Sequence, residues 1–259
     1  MSSPYGDLDR PPLRPRALAR ALEPDRWRVE VVASAGSTNA VVAERARAGE
    51  PGGLVVVAEQ QTAGRGRLDR TWVSPPRAGL TLSVLLRPEL PPERWSWLPL
   101  WGGLAVARAV REQTGVDAGL KWPNDVLVGG RKLCGLLAEV AAPGAVVLGI
   151  GLNVTTRRDE LPEGGTSLLL EGATTTDRDT LLRALLRSLT DVLAEASPDG
   201  YRALCGTLGT QVRVELPGGA SGVGGAAVEG LAQAVDDAGR LVVDGTPYSA
   251  GDVVHLRGG

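Results

Sequence analysis

The chain has 259 residues, of which 43% are hydrophobic and 22% charged, and this is typical of one large or two modest globular domains. Lys and Arg together number 28 against 30 for Asp and Glu, so the formal net charge is -2. That balance gives no general electrostatic reason to bind nucleic acid or an anionic membrane. Only Lys121 and Lys132 are lysines. Both lie in one short segment, which is therefore the first place to look for chemistry.

Several kinds of site are disfavoured by what the sequence lacks. The segment from Met1 to Arg16 has no apolar core of a secretory signal, and no run of about 18 apolar residues follows. We therefore expect a cytoplasmic protein without a membrane span. Cys134 and Cys205 are widely separated without CxxC spacing, which argues against a metal knuckle or a redox pair. The single histidine, His255, cannot supply a two-histidine zinc site, and we do not expect it to serve a catalytic triad.

Short Val-rich runs alternate with helical patterns from Trp27 onward. Apolar runs bounded by Gly and Pro predict strands at 28–33, 54–59, 79–86, 133–140 and 145–154. Apolar residues at helical spacing predict helices near 41–46, at 98–110 and at 181–193. Any of Ser37, Thr38 and Asn39 could cap the first of these helices. A turn at 143–144 suits a hairpin between the last two strands. This mixture predicts an α+β fold on a mixed sheet flanked by helices.

The pattern changes after Cys205. Short apolar runs at 212–216, 228–235, 241–243 and 253–256 alternate with turn residues, including Pro217-Gly218-Gly219, and no helical pattern interrupts them. We expect a catalytic domain over 1–206 and a small separate β-barrel over 207–259. The segments 197–200 and 205–210 are the candidate linkers.

The segment QTAGRGRLDRTW, from Gln61 to Trp72, follows directly after a predicted strand. Its glycines and arginines are Gly64, Arg65, Gly66, Arg67 and Arg70. Glycines let a backbone approach a ligand closely, and guanidinium groups match phosphate or carboxylate oxygens. The pattern predicts an anion-binding loop that is not a P-loop, although a solvated basic turn fits the composition equally well. Trp72 fits either a stacking platform or a core anchor.

Lys121 begins a second informative segment, KWPNDVLVGGRKLCGLLAEV. Pro123 followed by Asn and Asp marks a tight turn, and the Gly pair at 129–130 marks a hairpin turn that presents Lys132 at the start of a strand. Lys132 is then placed either to reach a cavity as a movable charge or to remain a solvated hairpin lysine. In the later segment LGIGLN, Gly149 and Gly151 leave one strand face bare, which suits either a flat ligand or close sheet packing.

Taken in this order, Ser37-Thr38-Asn39, QTAGRGR…W, KWPNDV, RKLCGLLAEV and LGIGLN resemble the signature of the biotin protein ligases. The resemblance spans residues 25–197 densely. It implies a catalytic domain like that of class II synthetases, and the terminal GTQVRVELPGG…GDVVHL resembles the SH3-like barrel that ends these enzymes. The family joins biotin to ATP as biotinyl-5'-adenylate with release of pyrophosphate. It then transfers the biotinyl group to a lysine of a biotin carboxyl carrier domain of an acyl-CoA carboxylase.

The resemblance also implies roles for individual residues. Catalysis falls to Lys132, Arg67 and Arg70. Biotin contacts fall to Ser37, Thr38, Asn39, Gln61, Gly64, Arg65, Gly66, Arg67, Lys132, Gly135 and Leu137. ATP contacts fall to Arg65, Arg67, Arg70, Trp72, Lys121, Asn124, Lys132 and Asn153, with Asp125 near the shared site. Mg²⁺ is expected on the ATP phosphates rather than in a protein cage.

Two features depart from the family pattern. Asp69 stands where most members have glycine, which adds a negative charge to the arginine loop. Only about 25 residues precede the first core strand, too few for a winged helix-turn-helix, so we expect the single-function form without DNA binding, as a monomer or weak homodimer. A lipoate ligase or octanoyl transferase of the same fold is the nearest alternative. A non-enzymatic biotin- or nucleotide-binding regulator is the other.

Overall fold

A computed structural model of the chain describes residues 10–68, 70–216 and 226–256. The helices are α1 (Pro15–Leu22), α2 (Thr38–Arg47), α3 (Trp97–Thr114), α4 (Arg178–Glu195) and α5 (Asp199–Leu204). The strands are β1 (Arg28–Val32), β2 (Leu54–Ala58), β3 (Gly64–Arg65), β4 (Thr71–Trp72), β5 (Gly79–Leu86), β6 (Gly119–Lys121), β7 (Asp125–Val128), β8 (Arg131–Ala142), β9 (Ala145–Asn153), β10 (Gln211–Glu215), β11 (Ala227–Val235), β12 (Leu241–Val243), β13 (Thr246–Tyr248) and β14 (Asp252–His255).

Within the described ranges, a seven-stranded sheet forms the centre of the fold, in the order β1-β2-β5-β9-β8-β7-β6. β1 and β2 are parallel, and the other neighbouring strands are antiparallel. The predicted turn at 143–144 joins β8 to β9, and Gly144 there has a φ of 67°, a conformation that favours glycine. The mixed sheet flanked by helices is therefore confirmed.

Alternate residues of the central strands enter two apolar clusters, one on each face of the sheet. On β2, Val55 and Val57 join the cluster that contains α3 and α4 residues, while Leu54 and Val56 join the cluster that contains α2 residues. Because every residue of β2 is buried, the strand reads as a continuous apolar run rather than an alternating one. The sheet is thus covered by helices on both faces.

On the sheet face that packs against α2, the residue type changes along β5 and β9. Leu85 pairs with Val147 under α2, and the next pair on the same face is Ser83 with Gly149. The pair after that is Thr81 with Gly151. Small and polar residues therefore replace apolar ones where the packing of α2 ends, and this leaves an open space above the sheet.

Three tryptophans near the start of α3 belong to the core. Trp97 and Trp101 are fully buried, and their rings stack at a centroid distance of 5.8 Å. Trp95 is partly buried against the same cluster. The helix is longer than the predicted 98–110 and ends at Gly115, whose φ is 71°.

The C-terminal strands form an antiparallel sheet in the order β13-β12-β11-β10-β14. In the part of the chain that the structure describes, the edge strands β13 and β14 do not pair with each other, so the expected SH3-like barrel is not confirmed as a closed barrel. The predicted turn Pro217-Gly218-Gly219 lies outside the described residues. Val212, Val214 and Val253 belong to the same apolar cluster as the tryptophans of α3.

The segments predicted as linkers, 197–200 and 205–210, hold the start of helix α5 and a turn with buried residues, and the domain boundary stays a prediction. Most of 197–204 forms helix α5, in which Tyr201 is buried and meets the Trp97 ring edge-on at 6.0 Å. Cys205 and Thr207 are also buried, and Gly206 N donates to Leu120 O at 2.8 Å. These apolar and hydrogen-bonding contacts fix the segment, and the proposed boundary between 206 and 207 falls inside it.

Helix α1 was not predicted, because only Leu18 and Leu22 of its eight residues are buried and two apolar positions make too short a pattern. Among the described residues, no helix has both the length and the apolar character needed to cross a membrane.

Candidate active site

A cavity of about 180 Å³ opens on the α2 face of the central sheet. Its walls come from the start of α2, the loop between β2 and β5, the strands β7 to β9, and the first residue of β14. The sequence-predicted residues that line it are Ser37, Thr38, Asn39, Gln61, Arg65, Gly66, Arg67, Arg70, Trp72, Asn124, Asp125, Lys132, Gly135 and Leu137. The fold thus brings segments from far apart in the sequence to one place.

The floor of the cavity is a stretch of sheet without side chains. Gly135 pairs directly with Gly151 across β8 and β9, and Gly149 lies two residues away on the same face. A Cβ added to Gly151 would lie 2.4 Å from Trp72 Cε2, and one added to Gly149 would lie 2.2 Å from Asn39 Oδ1. Gly149 and Gly151 therefore leave one strand face without side chains of their own, and the Asn39 amide and the Trp72 ring pack directly against it.

Trp72 lies at the wall of the cavity rather than in the core. Its ring also lies close to Gly135, where an added Cβ would be 3.1 Å from Cζ3. The indole Nε1 is buried and has no hydrogen-bond partner among the described residues. A buried donor left unpaired costs about 1–3 kcal/mol, so the position favours a ligand that supplies an acceptor.

Hydrogen bonds order the start of α2. Ser37 occupies the N-cap position but makes no side-chain capping bond, and Gln61 serves instead: its Oε1 accepts from Thr38 N at 2.8 Å and from Thr38 Oγ1 at 3.1 Å. Ser83 Oγ lies 2.7 Å from Thr38 Oγ1 and donates to Asn39 Oδ1 at 2.6 Å. These bonds fix amide and hydroxyl groups at one end of the cavity.

The basic loop makes few hydrogen bonds of its own. Gly64 pairs with Trp72, and Arg65 with Thr71, in two short strands. An added Cβ at Gly64 would lie 2.3 Å from Trp72 O, so only glycine allows this pairing. Beyond the strands, Gly66 N donates to Arg70 O at 2.6 Å and Arg70 N donates to Arg67 O at 3.2 Å, and the arginine side chains join the loop to the rest of the fold.

Arg67 is the loop arginine that meets neutral acceptors. Its Nη1 donates to Asn124 Oδ1 at 3.1 Å and to Gly251 O at 3.3 Å. Burial lowers the pKa of the Arg67 guanidinium, and the nearby carboxylates of Asp252 and Asp125 oppose that effect. A partly desolvated guanidinium beside an open cavity is well placed to bind an anion.

The other two loop arginines form ion pairs. Arg65 Nη2 lies 3.2 Å from Glu139 Oε1. Arg70 Nη2 donates to Asp252 Oδ2, and this hydrogen bond raises the pKa of Arg70. Both arginine side chains are more than half exposed. Their partners belong to β8 and β14, so the loop is joined to both sheets.

Lys132 lies between the loop and the glycine floor. Its Nζ is 2.6 Å from Asp125 Oδ1, and its Cε lies 3.1 Å from the position of a Cβ added to Gly135. Its backbone is fixed by a bond from Lys132 N to Gly164 O at 2.7 Å and by one from Thr166 N to Lys132 O at 2.8 Å. The ammonium therefore projects from an ordered strand into the cavity.

Three predicted residues do not line this cavity. Lys121 ends β6 and pairs in register with Asp125. Asn153 is buried, and its Nδ2 donates to Thr166 O at 3.0 Å. Gly64 pairs with Trp72 in the two short strands of the loop. The structure therefore does not bring the Lys121 and Asn153 side chains to the other predicted ATP contacts.

Sequence analysis missed several residues at the site, among them Ser83, Glu139 and Asp252. Ser83 was detectable, since it is a polar residue in the apolar run GLTLSVLL. Glu139 Oε2 accepts from Asn39 Nδ2 at 2.6 Å, and Asp252 Oδ2 accepts from Arg70. Both carboxylates lie in motifs quoted above, RKLCGLLAEV and GDVVHL, but neither was singled out as a site residue. Asp69 lies outside the described residues.

In the described part of the chain, no three His, Cys, Asp or Glu side chains are grouped so that they could hold a metal ion. Asp125, which lines the cavity, forms an ion pair with Lys132. The described residues therefore do not fit a magnesium site built by the protein alone.

Comparison with known proteins agrees with this architecture. Residues 31–155 match the Biotin/lipoate A/B protein ligase family. The chain is 46% identical to the biotin–[acetyl-CoA-carboxylase] ligase of Mycobacterium tuberculosis over 97% of this chain and 98% of that one.

Solved structures of biotin protein ligases are also similar to this chain. The biotin protein ligase of Aquifex aeolicus in complex with biotin and ATP is 28% identical, with a TM-score of 0.71 over 89% of this chain and 99% of that one. The Leishmania major enzyme in complex with biotinyl-5-AMP is 27% identical, with a TM-score of 0.62 over 89% of this chain and 98% of that one. The chain belongs to the biotin protein ligase family.

Proposed function

We propose that this protein is an ATP-dependent biotin protein ligase. The observation that supports it best is a single cavity in which a bare glycine floor, bordered by fixed amides and hydroxyls, meets the cations Arg67 and Lys132. A flat, neutral ring with an acidic tail fits such a cavity from one end to the other. Biotin has both parts.

The ring of biotin would occupy the polar end. Its ureido group has both donors and acceptors, and Thr38, Asn39 and Gln61 present both kinds of group there. Gly149 and Gly151 let the Asn39 amide and the Trp72 ring lie against the sheet, and these two groups would border the ring of biotin. The tail would then point toward Lys132.

In the first step, a carboxylate oxygen of biotin attacks the α-phosphorus of ATP and the bond to pyrophosphate breaks. Two anions must approach, so positive charge is required where the transition state concentrates negative charge. We assign Lys132 and Arg67 to that role, with Arg65, Arg70, Trp72 and Asn124 around the nucleotide. The assignment of Lys121 and Asn153 to ATP stays a prediction. Mg²⁺ is expected on the phosphates, and no step here depends on it.

In the second step, the neutral amine of an acceptor lysine attacks the carbonyl of biotinyl-adenylate, and AMP leaves. The name of the Mycobacterium tuberculosis relative specifies acetyl-CoA carboxylase. We propose the same class of acceptor here, a biotin carboxyl carrier domain of an acyl-CoA carboxylase. The SH3-like class of the C-terminal sheet, the cytoplasmic location, the monomer or weak homodimer and the absence of DNA binding stay predictions.

The test is to incubate the purified protein with ATP and either biotin or lipoate, and to measure pyrophosphate release. We expect release with biotin alone, and a mass increase of one biotinyl group on an added carrier domain. Release with lipoate alone would identify a lipoate ligase instead. Biotin binding without release would indicate a regulator.

A further inference from the structure

The arginine loop is joined to the C-terminal sheet by two consecutive residues. Arg70 donates to the Asp252 carboxylate, and Arg67 donates to the carbonyl of Gly251 at 3.3 Å. These contacts cross 182 and 184 positions of sequence. A loop that lines the cavity is thus attached at a point outside the catalytic sheet.

The attachment point is well fixed. Gly251 packs against Val214, where an added Cβ would lie 2.6 Å from Cγ1. Asp252 pairs in register with Glu215 of β10, and the next residue, Val253, is buried. The Asp252 side chain is 27% exposed and that of Arg70 is 61% exposed. The C-terminal sheet therefore supplies a rigid acceptor to a more exposed arginine.

We propose that Asp252 is a positioning residue, which anchors the arginine loop over the cavity through Arg70 and slows the escape of the reaction intermediate. This rests on the proposed function, because that function makes an adenylate that must stay bound until the acceptor arrives. The loop's own strands contribute only two paired positions. The bonds to Gly251 and Asp252 attach the loop to the C-terminal sheet, in addition to the turn hydrogen bonds within the loop and the contacts with Glu139 and Asn124.

If Asp252 acted only through its negative charge, its removal would slow the release of the intermediate instead of speeding it. The Asp252 carboxylate also lines the cavity, so removing its negative charge would strengthen the binding of any anion there. Anchoring instead predicts weaker retention after the same change. Slower release would therefore indicate the direct charge effect, and faster release would indicate anchoring.

The experiment forms biotinyl-adenylate on the full chain from labelled biotin and ATP, removes free ligand and follows release of the label. Asp252→Ala should speed release about twofold to fivefold, the size expected for a partly exposed ion pair. Glu215→Gln is the matched control, because it removes a neighbouring negative charge that acts on Arg70 and leaves the Arg70–Asp252 bond intact. It should release the intermediate at the wild-type rate.

A double mutant separates anchoring from a general structural effect. If Asp252 acts through Arg70, Asp252→Ala should add nothing in an Arg70→Ala background. Unchanged or slower release in Asp252→Ala, or an equal acceleration in both backgrounds, would overturn the proposal. Thermal unfolding of each variant checks that the fold is retained. Failure of the wild-type chain to form any adenylate would instead contradict the proposed function itself.

Discussion

Lys132 Nζ lies 2.6 Å from Asp125 Oδ1, and both side chains line the cavity. The carboxylate holds the ammonium next to the glycine floor, and the Lys132 side chain as a whole stays 38% exposed. An arriving carboxylate or phosphate can share this ammonium, because its three N–H donors are directed to different sides. The ion pair therefore positions a charge that remains available to a substrate.

Replacing Lys132 with Ala should reduce adenylate formation by a factor of about 10² to 10³, the usual loss when a charge that stabilises a transition state is removed. Pyrophosphate release with saturating biotin and ATP measures the effect. Arg131→Ala is the control, since it removes the positive charge next to Lys132 in the sequence, and Arg131 pairs with Glu171 outside the cavity. The control should keep nearly wild-type activity. Equal losses in both variants would contradict the placement of the charge.

Ser83 connects Thr38 and Asn39 at the polar end of the cavity. Replacing it with Ala should raise the KM for biotin about fivefold, because one buried hydrogen bond contributes on the order of 1 kcal/mol. The KM for ATP should change much less. Steady-state kinetics with each substrate varied in turn test this split. An equal rise in both constants would show that the change disturbs the whole cavity.

Gly151 allows the Trp72 ring to lie against the sheet. The side chain of a Gly151→Ala variant would overlap that ring, and the resulting displacement should weaken biotin binding about tenfold, as overpacking costs on the order of 1–3 kcal/mol. Calorimetric titration with biotin measures the loss. Gly206→Ala is the matched control, because its added Cβ would meet only Leu120 O at 3.7 Å. Wild-type affinity in Gly151→Ala would show that the ring is not fixed there.

Elements with strong local patterns were predictable from the sequence. The β5 run is buried throughout and is bounded by turn residues, so its apolar character alone identified it with the observed bounds. Helix α1 has only Leu18 and Leu22 as buried residues, which is too weak a pattern. Residues 205–207 look like a polar linker, yet they are fixed by contacts to distant strands. Local sequence does not record such contacts.

The same limit applies to the site. The glycines and basic residues of the loop and hairpin could be identified from the sequence. Positions where the chain comes close to a ligand accept few residue types, and this leaves a local pattern. Asp252 enters the site only because β14 pairs with β10 and reaches the loop. No spacing within the sequence relates it to Arg70. The contacts between the central sheet and the C-terminal sheet could therefore not be predicted from the sequence and were found only in the structure.

His255 gives the fold a pH dependence that can be isolated, because it is the only histidine in the chain. Its Nε2 lies 3.1 Å from Thr207 Oγ1, which also accepts from Trp122 N at 3.1 Å. The Thr207 hydroxyl is thus free to donate to a neutral imidazole. Burial, and then the positive charge of Lys121, lower the pKa of His255 below 6.5.

A lowered pKa in the folded state means that the unfolded chain takes up a proton first as pH falls. The contribution of His255 to stability is therefore fully present above pH 6.5 and declines as pH falls from there toward the folded-state pKa. Urea unfolding at about pH 7.5 and about pH 5.5, on either side of the ordinary histidine pKa, should show a smaller stability difference for His255→Gln than for wild type. The carboxylates titrate in both proteins, so comparing the two isolates the imidazole. An NMR titration of the single histidine resonance that gave a pKa at or above the ordinary value would contradict this.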